Sequence, residues 1–377
     1  MEENNIPELK LEEATPRKPL TLFHRLFISE HIDKTAARAL LLIVPIGWST
    51  YGPALRYVYS LPSPPTPAVF STVRSILSAL PLCPTILKRA KSFAGRDLDR
   101  DKVLIEQDND LCMAGVELAF LNFAGTASQA WGLEYTTATR AGFLFTTINV
   151  LVPLGAWING EPVSRVTWIA CATALLGVLL IDGHATGGGG GMSASFLDLN
   201  DSISGDLLVL FGACCYALYT VRLSLYASKL PAVPLTAIKL VLLAVFCTLW
   251  TTVDFFWTGK FAAEALLVGG WSNIGMWLAI LYTALVPGVL MTWAQTRGQG
   301  VVPAAEAQVM YALTPLFTAL IASILLKERV GDNVWVGGAM IMASSMLVAV
   351  VERYDDMKLI EGDLDSPATN YIHSRRR

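Results

Sequence analysis

The chain has 377 residues, of which 53% are hydrophobic and only 16% charged, at a mean hydropathy of +0.49. A soluble domain carries roughly 25% charged residues to cover its surface, so these values exclude a water-soluble globule and require much of the surface to face lipid. The net charge is −3, and no basic cluster is interleaved with aromatics, which excludes nucleic acid as a partner.

Residues 1–37 form a polar tail that opens Met-Glu-Glu-Asn-Asn and continues through Glu8, Glu12 and Glu13. Secretory signals start basic and then turn apolar, and organelle transit peptides are poor in acids, so the tail reads as neither. The first apolar run starts near Ala36 and is expected to be a retained span. A spanning helix needs about 20 mostly apolar residues, and ten such runs follow: 38–58, 66–88, 111–132, 136–158, 164–182, 205–226, 233–256, 272–295, 303–326 and 333–351. Between the fifth and sixth lies a stretch, 183–204, that includes Gly187 through Gly191 and has no apolar period, as a flexible linker does. It divides the chain into a first repeat at 38–182 and a second at 205–351. Residues 352–377 make the C-terminal tail, polar and expected to be disordered from Asp355 to Arg377.

Lysines and arginines in the connections fall unevenly, twenty on the side that carries both tails against three on the other. By the positive-inside rule both termini face the cytosol and the glycine-rich linker does not. Each half has an odd number of spans, so the second half enters the membrane upside down relative to the first. The fold class expected is therefore an all-α, multi-pass integral membrane protein of ten transmembrane helices in two inverted five-helix repeats.

The repeats also show in the residues. Residues 158–168 read Ile-Asn-Gly-Glu-Pro-Val-Ser-Arg-Val-Thr-Trp, and residues 325–335 read Leu-Leu-Lys-Glu-Arg-Val-Gly-Asp-Asn-Val-Trp. Glu161 and Trp168 thus recur as Glu328 and Trp335. The same register pairs Arg56 with Arg222, Arg74 with Lys239 and Arg140 with Glu306. Glu161 and Glu328 lie in turns between helices and are read as caps for the helix that follows each.

At this level the chain resembles the EamA-type repeat of the drug/metabolite transporter superfamily. The resemblance rests on Gly132-Leu133-Glu134-Tyr135-Thr136-Thr137-Ala138, Gly160-Glu161-Pro162-Val163, Trp168 and Leu175 to Leu180 in the first half. In the second it rests on Pro303-Ala304-Ala305, Leu313-Thr314-Pro315-Leu316-Phe317, Lys327-Glu328-Arg329 and Trp335-Val336-Gly337-Gly338. It implies a central substrate cavity, alternating access and a small metabolite as substrate, with the fourth and ninth helices lining the cavity. Two features depart from the pattern: Pro153 stands five residues beyond the position matching the Thr314-Pro315 step, and the central linker is long.

A Lys, Arg or Asp at a helix centre costs about 2.5–3.5 kcal/mol on insertion scales, so intramembrane charges are candidates for function. Arg56 and Arg222 sit near span ends, where snorkelling is the simple account. Arg74 and Lys239 lie one to two turns inside, and Arg140 and Glu306 open the fourth and ninth helices. Five of these six are basic, which favours an anionic or zwitterionic solute, with Glu306 a candidate for a proton or an amine. Glu117 is an alternative acid that could pair with Lys239, and Arg74 and Asn122 lie at similar depth, where they could share a ligand or satisfy one another. Nearer the midplane, Gln308 and Tyr311 share a helix face, with Asn149 comparably deep in the fourth span. Either substrate contact or helix-to-helix hydrogen bonding would satisfy these groups. The expected substrate-binding set is Arg74, Asn122, Arg140, Asn149, Lys239, Glu306, Gln308 and Tyr311.

The six cysteines all lie in apolar runs and the four histidines all lie outside them, so no metal site, disulfide or other cofactor is expected. Neither a nucleophile turn nor a Walker loop is present, since Gly187 to Gly191 lacks the Lys-Ser/Thr ending. The reading is a secondary carrier rather than an enzyme, with the lipid bilayer, a small-molecule substrate, and protons or a counter-substrate as its partners. A homodimer, an exporter of amino acids or amphiphilic solutes, and a non-transporting scaffold or receptor stay open as alternatives.

Overall fold

The computed structural model describes residues 32–61, 64–94, 102–135, 144–145, 147–161, 163–185, 203–258, 273–326, 335–344, 346–347 and 350–351. Arg140, the glycine run at 187–191, the Lys327-Glu328-Arg329 segment and both tails lie outside the described residues. The described secondary structure is helical throughout: α1 Lys34–Ser49, α2 Tyr51–Ser60, α3 Pro67–Ala79, α4 Cys83–Ala94, α5 Lys102–Tyr135, α6 Ile148–Ile158, α7 Arg165–Ala185 and α8 Ile203–Ala227. There follow α9 Ala232–Thr258, α10 Ile274–Thr283, a π-helical turn Ala284–Leu290, α11 Met291–Gln299, α12 Ala304–Tyr311, α13 Thr314–Leu326 and α14 Trp335–Ser344. They make ten spans, five in each half, because α1–α2, α3–α4, α10–α11 and α12–α13 each form one interrupted span. Among the described residues five helical stretches are long and apolar enough to cross a bilayer.

Proline explains three of the interruptions. Pro53, Pro287 and Pro315 have no N–H to give to the carbonyl four residues earlier, which belongs to Ser49, Thr283 and Tyr311 respectively. The helix breaks at Thr50, turns π-helical at Ala284 and breaks at Ala312–Leu313, next to each of those carbonyls. Side chains satisfy some of the disturbed backbone: Ser78 Oγ donates to the Ala284 carbonyl at 3.0 Å, and Thr50 Oγ1 to Gly47 at 2.7 Å. Broken and π-bulged helices in a membrane protein sit where the backbone lines a polar interior.

The two halves pack largely against each other. The first span (α1) packs on the eighth (α11), and the sixth (α8) packs on the third (α5); these pairs exchange under the repeat symmetry. The second and seventh (α3, α9) and the fourth and ninth (α6, α12) form self-matched pairs. One buried cluster joins Leu40, Leu41 and Val44 of α1 to Met291 and Met310, and another joins Leu111 and Leu118 of α5 to Leu223 and Leu235. Large apolar side chains such as Phe256, Leu278 and Ile324 stay exposed, as lipid-facing residues do.

Glycines set how closely these helices approach. Gly47 and Gly212 stand at the α1–α11 and α8–α5 crossings: a Cβ on Gly47 would meet Met291 Sδ at 2.3 Å, and one on Gly212 the Gly125 carbonyl at 3.1 Å. At the α7–α14 crossing a Cβ on Gly177 would meet the Gly337 carbonyl oxygen at 2.6 Å. Backbone cannot swing aside as a methionine can. Gly177→Ala is therefore expected to lower unfolding stability by about 1–3 kcal/mol, and Gly47→Ala by much less. Melting curves of the two purified variants check the contrast.

Candidate functional site

The polar interior is organised by one face of α8, where Tyr216, Tyr219, Arg222 and Tyr226 succeed one another at helical spacing. Tyr219 is 4% exposed. Its hydroxyl donates to Gln295 Oε1 at 3.3 Å and accepts from Lys239 Nζ at 2.9 Å, with the Asn122 side chain beside it. Lys239, projecting from α9, is 3% exposed; its second partner is Thr296 Oγ1 at 2.7 Å, and its ammonium stands 5.4 Å from the Tyr219 ring centroid. Both partners are uncharged hydroxyls, so among the described residues the ammonium has no carboxylate and keeps a third N–H to spare.

Arg74, the repeat mate of Lys239, repeats the arrangement in the first half. Its guanidinium stands 5.3 Å from the Tyr51 ring centroid, and its buried Nε has no hydrogen-bond partner. The Tyr216 hydroxyl and the Cys247 thiol lie within its electrostatic reach. Tyr216 is held by Thr126 Oγ1 at 2.7 Å and edge-on by Phe145 at 5.6 Å. In each half, then, a cation on the second helix lies over a tyrosine on the first.

Arg38, Arg222 and Arg89 are each neutralised by an acid. Arg38 of α1 donates through Nε to Glu306 Oε1 of α12 at 2.5 Å, with side chains 8% and 2% exposed. Arg222 holds Glu117 of α5 through both Nε and Nη2, the latter at 2.8 Å, and Tyr226 bonds the same carboxylate. Glu117 thus takes Arg222 instead of Lys239, because the planar guanidinium fork on the facing helix matches both carboxylate oxygens. Arg89 pairs with Asp108 where the second and third spans continue as helix.

The remaining expected site residues fall in three places. Asn149 and Gln308 are buried and face each other across α6 and α12, with Nε2 donating to Oδ1 at 3.0 Å. The Tyr311 ring lies tilted against Trp48, centroids 5.2 Å apart; its buried hydroxyl points toward Gln295 and Tyr219 without completing a hydrogen bond. Asn122 contacts Tyr219 rather than Arg74. The structure therefore brings Asn122, Lys239 and Tyr311 together around Tyr219, puts Arg74 near Tyr216 one helical turn along α8, and ties Asn149 to Gln308 and Glu306 to Arg38. Arg38, Tyr216, Tyr219, Gln295 and Thr296 are absent from the set read in the sequence. The Tyr-x-x-Tyr-x-x-Arg spacing of α8 carries the signal for the tyrosines. Arg38 and Gln295 sit at the edges of their apolar runs, where polar residues are ordinarily solvent-facing.

Glu161 serves a different helix from the one expected. Gly160, at φ +84°, closes α6 in a Schellman arrangement: its N–H bonds the Trp157 carbonyl at 3.0 Å and the Glu161 N–H the Ala156 carbonyl at 3.0 Å. The Glu161 carboxylate so placed accepts from the backbone N–H of Ala304, the first residue of α12 in the other half. The following helix α7 is capped by Ser164, whose Oγ accepts from Thr167 N at 3.1 Å. Burial raises the Glu161 carboxyl above its usual range, and the Ala304 N–H opposes the rise only in part. An acid with a raised folded-state pKa binds more protons folded than unfolded, so its contribution to stability falls as pH climbs past its ordinary value of 4.5. Glu161→Gln is accordingly expected to melt higher than the wild type at pH 7 and to lose that advantage near pH 4, as melting curves at the two values would show.

Comparison with known proteins agrees with this architecture. The model of the EamA-like transporter family matches residues 36–182 and again 203–350. An uncharacterized transporter of Archaeoglobus fulgidus is 22% identical over 328 residues, covering 85% of this chain and 88% of that protein. The uncharacterized transporter YetK of Bacillus subtilis is 22% identical over 227 residues, 60% of this chain and 64% of its own length. A crystal structure at 15% identity superposes with a TM-score of 0.64, covering 85% of this chain and 99% of the other, a likeness of fold.

Proposed function

The chain belongs to the EamA-like transporter family, and on that premise we propose that it is a secondary carrier of a small organic anion. It moves the anion by alternating access about the tyrosine-lined cations Arg74 and Lys239. The observation that carries this reading is the imbalance of charge among the described intramembrane residues. Arg38 and Arg222 each hold a carboxylate, whereas Lys239 has two hydroxyls and Arg74 a ring face. An uncompensated buried cation is costly to hold, and an anionic substrate supplies the missing charge.

In this reading Arg74, Asn122, Lys239 and Tyr311 contact the substrate, with Tyr216 and Tyr219 as the wall between the cations. Asn149, Gln308 and Glu306 act beside them as ties between helices. Both termini face the cytosol, given the lysine and arginine bias of the connections. Counting crossings then puts Arg38, Glu306 and Arg222 toward the cytosol and Arg74 toward the opposite face. The ties Arg38–Glu306 and Glu117–Arg222 join the two halves on the cytosolic side, as a carrier closed on that side would have them. Rocking of the halves breaks these ties and opens the cytosolic path. Exchange against a second anion or movement with protons supplies the energy.

Uptake into proteoliposomes from a panel of labelled carboxylates, phosphate esters, neutral sugars and amines tests the reading. Saturable uptake of anions, accelerated by anions inside, is expected. Uptake confined to amines, or no uptake in either direction by folded protein, overturns it.

A further inference from the structure

We infer that the substrate is a short two-headed anion, a dicarboxylate or a phosphorylated carboxylic acid, that bridges Arg74 and Lys239 and binds both at once. The inference rests on the carrier reading above and narrows it to a ligand chemistry. It starts from how the two cations are connected. Tyr216 stands within electrostatic reach of Arg74, and Tyr219 accepts from Lys239. These tyrosines are three residues apart on one face of α8, about 4.5 Å in helical rise.

A second measure comes from α9. Cys247 also lies within reach of Arg74, and Thr72, two residues before Arg74, donates to the Cys247 carbonyl at 2.8 Å. Eight residues separate Cys247 from Lys239 on the same helix, a rise of about 12 Å. The cations are thus bracketed between one turn and a little over two turns of helix. Each charge-assisted contact takes up about 2.8 Å of such a gap. Two such contacts take up more than the shorter bound and leave about 6 Å of the longer, room there for the chain of a four-carbon diacid.

The groups between and around the cations suit a ligand of this form. Among the described residues no carboxylate bonds either cation, although Glu117 and Glu306 are both engaged nearby on other arginines. The buried Arg74 Nε and the buried Tyr311 hydroxyl both lack a hydrogen-bond partner, one at the Arg74 end and one beside the Tyr219–Gln295 pair. At the longer separation a single anionic group satisfies only one cation and leaves the other buried without charge compensation. Two linked anionic groups satisfy both, with the tyrosine faces along the connecting chain.

Binding to the purified full chain in lipid nanodiscs tests this without requiring transport. Titration with succinate, glutarate and adipate is compared with butyrate and hexanoate, which keep the length and lose one charge, and with 3-phosphoglycerate. At least one diacid is expected to bind about 10- to 100-fold tighter than the monoacid of equal length. Arg74→Gln and Lys239→Gln should each erase that preference, leaving diacid and monoacid alike. Tighter binding of 3-phosphoglycerate than of every diacid assigns one head as a phosphate. Equal binding of diacids and monoacids by the wild type overturns the inference even if a variant fails to fold, and so does a preference that survives in either folded variant. Diacid binding with no uptake would instead count against the carrier reading, and uptake of monoacids with no diacid preference would leave that reading standing alone.

Discussion

Replacing Lys239 with methionine should make the protein more stable and nearly inactive at once. The ammonium is 3% exposed and bonded only to the hydroxyls of Tyr219 and Thr296. Removing it orphans neither hydroxyl, since Tyr219 still donates to Gln295 and Thr296 to the Thr292 carbonyl at 2.8 Å. Methionine fills similar volume with a flexible apolar chain. Exchanging buried charge for packed apolar groups is often stabilising by about 1–4 kcal/mol, so the variant should melt higher than the wild type. Anion uptake should fall about 100-fold or more, because a charge-assisted contact is lost from the binding site. A residue kept for structure would show the opposite pairing, with stability falling and uptake following it. Melting curves and initial uptake rates on one preparation separate the two.

Removing one partner of the Arg38–Glu306 pair should have the largest effect on stability. The side chains are 8% and 2% exposed and bonded at 2.5 Å, so Arg38→Met leaves a buried carboxylate without its guanidinium. Breaking a buried pair from one side costs about 3–5 kcal/mol, whereas replacing both partners by apolar groups is often neutral. The expected order is therefore Arg38→Met and Glu306→Met each strongly destabilised, with the double variant recovering most of the loss. A double-mutant cycle on unfolding free energies gives the coupling directly. Additive losses in the double variant would mean that the two side chains act independently.

Much of the architecture was legible from the sequence, because membrane spans are written in composition. Lipid offers no hydrogen bonds, so each crossing must be a long apolar helix, and an odd number of crossings per half makes the repeat inverted. The repeat register was legible as well, and it paired Arg74 with Lys239, which the structure finds over Tyr51 and Tyr219. Span edges were less legible. The third helix starts at Lys102, nine residues before the apolar run, because Asp108 is held by Arg89 and an acidic turn can continue a helix beyond the membrane. The eighth runs on to Gln299, and Gln299 bonds the Thr220 carbonyl and Ser224 Oγ rather than water.

Partnerships across the two halves were the least legible. Arg38 reads as the last charge of a tail, and only the packing of α1 on α12 makes it the partner of Glu306. Glu161 reads as a cap for the helix after it, and the Schellman turn sends it to α12 instead. Both depend on which helices meet, and the spacing of residues along one helix does not contain that information.

The central claim is that the uncompensated cations bind the substrate's negative charge. Its most direct test is the uptake rate of a transported anion against the same molecule with its acidic groups converted to amides, measured in wild-type proteoliposomes. The anion should be carried about 100-fold faster or more, whereas equal rates for the anion and its amide would contradict the claim.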